Sequence, residues 1–221
     1  MNKIIIAIDG FSGTGKSSTA KAVAKGLDYI YIDSGAMYRA CTLYFLNEGI
    51  DLQNEAEINA ALGGVEISFM KDIVLLNGQD VSDEIRTMKV NNNVSAVSSN
   101  AKVREKMVDQ QRKIGMDKGI VMDGRDIGTV VFPKADLKIF MTANPTVRAK
   151  RRQAELKTKG IEEDLLTIEK NLIVRDAMDS SREHSPLVKS DGAIEIDTSN
   201  LNFDEQVEQI LSLAKPMIYE G

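Results

Sequence analysis

The stretch Gly10-Phe11-Ser12-Gly13-Thr14-Gly15-Lys16-Ser17 decides the fold. It satisfies the pattern G-x-x-x-x-G-K-[S/T] in full, and its flanks agree with it. Upstream, Lys3 to Asp9 is an apolar run ending on a carboxylate, as expected of a central parallel strand buried on both faces. Downstream, Lys16 to Leu27 sets Ala20, Val23, Ala24 and Leu27 at helical spacing. Strand, glycine-rich turn and helix N-terminus together make a phosphate cradle. The glycines let successive N–H groups point inward at phosphate oxygens, and the helix dipole adds partial positive charge. Gly10, Ser12, Gly13, Thr14, Gly15, Lys16, Ser17 and Ser18 are the expected contacts to a nucleoside triphosphate. In this cradle Lys16 reaches the β- and γ-phosphates and the Ser17 hydroxyl suits a Mg²⁺ ion.

Working outward, further apolar runs end in Asp or Met and alternate with helical patterns. Strands are expected at Tyr29 to Asp33, Ile120 to Asp123, Leu137 to Met141 and Ala193 to Asp197. Helices are expected at Ser34 to Glu48, Lys89 to Gly115 with a break near Asn100, Thr146 to Lys159, Leu165 to Arg182 and Asp204 to Lys215. That alternation predicts an α/β fold with a parallel sheet covered on both faces. One stretch departs from it. Val65, Ile67 and Phe69 alternate with polar neighbours, Lys71-Asp72 reads as a turn, and Asn77-Gly78 is a two-residue hairpin signal. Residues 51–86 therefore read as an insertion holding a small antiparallel sheet.

Length and composition exclude several classes. A chain of 221 residues with 43% hydrophobic and 28% charged residues suits one folded domain with a small insertion. The single cysteine, Cys41, rules out an internal disulfide and reads as a buried thiol; the single histidine, His184, leaves His-based metal sites and Ser-His-Asp triads without parts. The net charge of -5 disfavours general binding to nucleic-acid backbone. The N-terminal apolar run is too short to span a membrane and meets no cleavage site, so a cytoplasmic protein is expected. No Asn-Lys-x-Asp run is present to read guanine.

The arginines carry the next signal. A kinase for a phosphorylated acceptor must bring two polyanions together, and phosphoryl transfer is then mostly positioning and charge neutralisation. At the end of the second strand, Ser34 fits either a helix N-cap or a ligand contact, and Arg39 either an acceptor phosphate or a solvated helix face. The third strand ends Asp123-Gly124-Arg125-Asp126, which places Asp123 where a carboxylate would lie beside Mg²⁺. Arg175, Asp179 and Arg182 fall on one helix face, as an ion pair or as ligand contacts. Arg148, Arg151 and Arg152 cluster on an earlier helix, either solvated or part of a closing lid.

With these residues in place, the sequence resembles bacterial cytidylate kinases along essentially its whole length. Beyond the phosphate cradle, four stretches carry the resemblance. They are Asp33-Ser34-Gly35-Ala36-Met37-Tyr38-Arg39, Ser82-Asp83-Glu84-Ile85-Arg86-Thr87, Asp123-Gly124-Arg125-Asp126-Ile127-Gly128-Thr129-Val130-Val131-Phe132-Pro133, and Arg175-Asp176 through Asp179 to Arg182. The resemblance implies a P-loop nucleoside monophosphate kinase fold with a five-stranded parallel sheet flanked by helices. It implies one kinase domain over residues 1–221, with an acceptor-binding insertion at 51–100 and a helical lid at 146–165. The implied reaction is transfer of the γ-phosphoryl group of ATP to CMP or dCMP with Mg²⁺, by a cytoplasmic monomer.

The resemblance also assigns roles. Ser95, Arg104 and Asp126 are similar to residues that face cytosine. Ser34, Arg39, Arg125 and Arg182 are similar to residues that clamp phosphate, and Arg175 and Asp179 to the ribose-side group. Lys16, Arg125 and Arg182 are the implied catalytic set, and Ser17 and Asp123 the implied metal ligands. Cytosine chemistry agrees: its N4 amino group donates, which suits Asp126, and its O2 and N3 accept, which suits Arg104. The chain departs from the family pattern at Phe11, where proline is common, and at Ser17-Ser18, where Gly-Thr is common. A UMP/CMP kinase of the same fold and a nucleotide sensor without turnover are the alternatives.

Overall fold

The structure, a computed structural model, describes residues 2–70, 73–158 and 160–219. The expected Lys71-Asp72 turn and the expected helix end at Lys159 lie outside the described residues. In chain order the strands are β1 (Ile5–Gly10), β2 (Ile30–Asp33), β3 (Ile67–Met70), β4 (Ile73–Leu76), β5 (Gln79–Asp80), β6 (Ile120–Gly124), β7 (Leu137–Thr142) and β8 (Ile194–Asp197). The α-helices are α1 (Lys16–Leu27), α2 (Ser34–Asn47), α3 (Glu55–Ala61), α4 (Met88–Ser99), α5 (Ala101–Ile114), α6 (Pro145–Thr158), α7 (Leu165–Ser181) and α8 (Phe203–Tyr219).

The five expected strands form one sheet in the order β2-β6-β1-β7-β8. Strand β1 pairs in parallel with β6 on one side and β7 on the other, and β7 with β8. The central place of β1 explains its apolar run: Ile6, Ala7 and Ile8 are sealed from solvent on both faces. The sheet-end register sets Ile8 opposite Asp123 and Asp9 opposite Gly124, so the C-terminal ends of β1 and β6 arrive at the same level. Gly10 belongs there because a Cβ would sit 2.1 Å from the Met141 carbonyl oxygen of β7.

The chain divides into two compact units, residues 31–117 and the remainder. In the first, β3, β4 and β5 form an antiparallel sheet. Its tight turn is Asn77-Gly78, with φ of 51° and 81°, the left-handed pair that a type I′ hairpin needs. Gln110 ties α5 to this unit's sheet: its Nε2 donates to the Val65 carbonyl, and its Oε1 accepts from the Ile67 amide. The break expected near Asn100 is a cap, since its side chain accepts from the Lys102 and Val103 amides and starts α5.

Three expectations need correction. The cap of α2 is Asp33, whose carboxylate accepts from the Ala36 amide at 2.8 Å, and Ser34 is the first helical residue. Asp33 still has extended backbone, which is what a cap requires. Residues 55–61 form a helix, α3, capped by Asn54, where no helix was expected. Helix α8 runs through Pro216 to Tyr219 instead of stopping at Lys215. Continuing lets Ile218 bury and its carbonyl accept from the Asn2 amide.

In the second unit α1 packs on α8, where Gly26 leaves room for Leu211. Helices α6 and α7 share a small core of Ala149, Ile168 and Leu172, flanked by Leu156 and Leu165. Among the described residues no helix is long and apolar enough to cross a membrane.

Candidate active site

The turn from β1 into α1 builds the cradle. Gly13 and Gly15 have φ of 77° and 92°, a left-handed conformation that side chains resist. Gly15 starts α1 with no side-chain cap, so the first-turn N–H groups are left for an anion. Gly13 also admits α6 closely: a Cβ there would meet Arg148 Cβ at 3.1 Å. Thr14 is buried, with its hydroxyl donating to the Phe11 carbonyl. The exposed Ser18 hydroxyl donates to the Gly15 carbonyl.

Lys16 is buried and its Nζ donates to the Phe11 carbonyl at 2.8 Å. Burial first, and the Arg125 guanidinium second, bring its ammonium down to about 7, while Asp123 and Asp9 pull the other way. Ser17 Oγ donates to Asp123 Oδ2 at 2.8 Å. The strand ends therefore bring together a hydroxyl and a carboxylate that the sequence separates by more than a hundred positions. Two adjacent hard oxygen donors, with substrate phosphates to complete the shell, fit Mg²⁺, which is held through few protein ligands.

Arg125, two residues after Asp123 on the chain, donates through Nε to Asp179 Oδ2 of α7 at 2.8 Å. Arg182 lies 3.8 Å from the other oxygen of Asp179, and its Nε donates to the Ser185 carbonyl. Arg175 stands close enough to Lys16 to act on its charge. Asp179 is thus shared between Arg125 and Arg182, which orients two guanidinium groups from different elements. Asp126 is buried at the start of a π-helical turn over Ile127–Val131, and its carbonyl accepts from the Val130 and Val131 amides.

Of the three α6 arginines, Arg152 is half exposed and pairs with Glu155, whereas Arg148 and Arg151 are drawn inward. Arg148 is buried, donates to the Ser12 carbonyl and to Asp176, and lies over the Phe11 ring at 5.4 Å. Phe11 in turn meets Phe140 edge-on. The departure from proline at this position thus supplies a cation–π contact that fastens α6 to the cradle. Arg151 donates to the Thr14 carbonyl and to Thr198.

In the unit of residues 31–117, Arg39 donates to Asp33 Oδ2 at 2.9 Å across the first turn of α2. Ser34 is buried and Ser95 is exposed on α4. Arg104 is buried, donates to the Ser98 carbonyl at 3.0 Å, and lies over the Tyr38 ring at 5.3 Å.

A family model described as cytidylate kinase matches residues 6–216. The chain belongs to the cytidylate kinase family. Among relatives, the cytidylate kinase of Bacteroides fragilis is 51% identical, with 96% of each chain covered. That of Flavobacterium johnsoniae is 48% identical, with 99% of each covered. Among solved structures, shikimate kinase from Bacteroides thetaiotaomicron aligns over 97% of this chain and 99% of that one, with a TM-score of 0.50 and 12% identity. That last likeness shows the fold alone.

Within the cytidylate kinase family motifs, the structure gathers Lys16, Ser17, Asp123, Arg125, Arg175, Asp179 and Arg182 in one unit, with Asp126 beside them in the chain. Ser34, Arg39, Ser95 and Arg104 belong to the other. Sequence reasoning missed Asp9, Asp176 and Thr198, which are buried and brace the loops around the cradle. Asp9 read only as a strand terminator, because nothing local announces which distant amides it will meet.

Proposed function

We propose that this protein transfers the γ-phosphoryl group of ATP to CMP or dCMP, giving ADP and CDP or dCDP. The observation that carries the reading is the gathering of Arg125, Arg175 and, through Asp179, Arg182 around the buried Lys16. One anion does not need four cations. Two phosphate chains brought into line do, because charge builds on the transferring oxygens.

The chemistry asked of the side chains is electrostatic. An oxygen of the acceptor phosphate attacks the γ-phosphorus, the bond to the β,γ-bridging oxygen breaks, and ADP leaves with that electron pair. No strong general base is required, since the attacking oxygen is already anionic. Lys16 neutralises the β- and γ-phosphates, and the Gly13 to Ser17 backbone amides hold them. Ser17 and Asp123 would hold Mg²⁺, which when bound supplies further charge neutralisation across the donor phosphates.

For the acceptor, Asp126 takes the cytosine N4 donor, Arg104 serves O2 and N3, and Ser95 completes the base contacts. Ser34, Arg39, Arg125 and Arg182 clamp phosphate, and Arg175 with Asp179 serves the ribose side. Residues 51–100 act as the acceptor insertion and 146–165 as the lid, in a cytoplasmic monomer. Uracil presents an acceptor where cytosine donates, so Asp126 faces it unfavourably. The Asp126→Ala variant is expected to lose more kcat/KM with CMP than with UMP in a coupled ADP-release assay. Equal losses would remove Asp126 from base reading.

A further inference from the structure

Asp9 is buried at the end of β1, immediately before the cradle, and no step above uses it. Its Oδ1 accepts from the Ile127 amide at 2.8 Å and its Oδ2 from the Gly128 amide at 2.7 Å. These are the first two amides of the π-helical turn that begins directly after Asp126. The first N–H groups of any helical turn lack partners within it, and both carboxylate oxygens of Asp9 are used to supply them. The turn is also closely packed at Gly128, where Lys138 Cδ would lie 3.2 Å from an added Cβ. A Cβ on Gly128 would lie 2.7 Å from Ser190 Oγ and 3.3 Å from Asp9 Oδ2. The Asp126 carbonyl is fixed as well, by the Val130 and Val131 amides at 2.9 and 3.2 Å. Lys16 and Asp126 are the charged groups that act on the Asp9 carboxylate.

We propose that Asp9 is a positioning residue for acceptor recognition, its two carboxylate oxygens pinning the Ile127-Gly128 amides so that Asp126 is held to read the base. This rests on the reading of Asp126 as the cytosine contact. Asp9 directly precedes Gly10, the first residue of the phosphate cradle, so the base-reading turn is anchored next to that cradle.

The test is Asp9→Asn, which keeps the shape but turns an amide N–H₂ toward one of the two donors. The expected result is a KM for CMP raised about tenfold, with the CMP-to-UMP ratio of kcat/KM falling by a similar factor, as one lost buried hydrogen bond implies. The Kd for ATP alone should change clearly less than the KM for CMP, because the cradle amides do not depend on the turn and Asp9 reaches the donor site only through its charge effect on Lys16. Gly128→Ala crowds the same turn against Ser190 and the Asp9 carboxylate and should reproduce the pattern, which decides the matter if Asp9→Asn does not fold. A folded variant with unchanged KM and unchanged CMP-to-UMP ratio overturns the proposal. So does equal weakening of ATP and CMP, which marks a general structural role. If the unaltered protein fails to phosphorylate CMP, the functional reading itself has failed, and that outcome is visible before any variant is made.

Discussion

Lys16 shows at a single residue what the phosphate cradle asks of the fold. Burial and Arg125 bring its ammonium down to about 7 from an ordinary value of 10.5. The fold therefore disfavours the charged form, and this group's contribution to stability falls as pH drops from about 10.5 through 7. Below pH 7 the buried charge is carried in full. Lys16→Met replaces it with an apolar chain of similar length. Its Tm at pH 6 should not fall below that of the unaltered protein, while kcat drops by about 10²–10³-fold. A lower Tm with near-normal turnover would make Lys16 structural instead. Cys41 gives a second check. Burial pushes its thiol up to about 12 from 9.0, so the thiol stays protonated and its contribution to stability is lost only as pH rises from about 9 toward 12. At pH 8 a thiol reagent should leave Cys41 untouched in the folded protein and modify it fully after denaturation. Rapid modification without unfolding would contradict its burial.

At the scale of elements, α6 is secured to the cradle through Arg148, which joins the Ser12 carbonyl, Asp176 of α7 and the Phe11 ring. Arg148→Ala leaves Asp176 as a buried charge without its partner, and chemical denaturation should report a loss of about 3 kcal/mol. A change under about 0.5 kcal/mol, ordinary for a surface site, would return α6 to the solvated-helix reading. The strands and long helices were readable from the sequence because their signals are local: the apolar run of β1, the 3.6-residue spacing of α1, the Asn77-Gly78 turn. Asn100 was readable as a break for the same reason. The short α3 was not, since only Ile58 within it is buried and a single apolar residue shows no period. The end of α8 was misjudged because Pro216 is a local stop signal overridden by tertiary gain, the burial of Ile218 and its bond to Asn2.

For the molecule as a whole, the candidate site was legible wherever the family motifs cover it. Lys16, Ser17, Asp123, Arg125 and Asp179 occur as recognisable runs, and the structure joins them by hydrogen bonds or close charges. What the sequence could not convey is which long-range partners Asp9, Asp176 and Asp179 choose. Asp9 reaches the Ile127 and Gly128 amides, Asp176 reaches Arg148, and Asp179 takes Arg125. Each pairing joins different elements, so spacing along the chain carries no trace of it. Asp179 illustrates this: it meets Arg125, from just past β6, as well as Arg182 at the end of its own helix.

The central claim is that the cradle and its arginines drive transfer between two nucleotides. Incubating the protein with ATP labelled at the γ-phosphate, Mg²⁺ and a panel of nucleoside monophosphates tests it most directly. The label should appear in CDP and dCDP, with far less in UDP and none in purine diphosphates. Labelled inorganic phosphate alone, or label spread evenly over all acceptors, would contradict it.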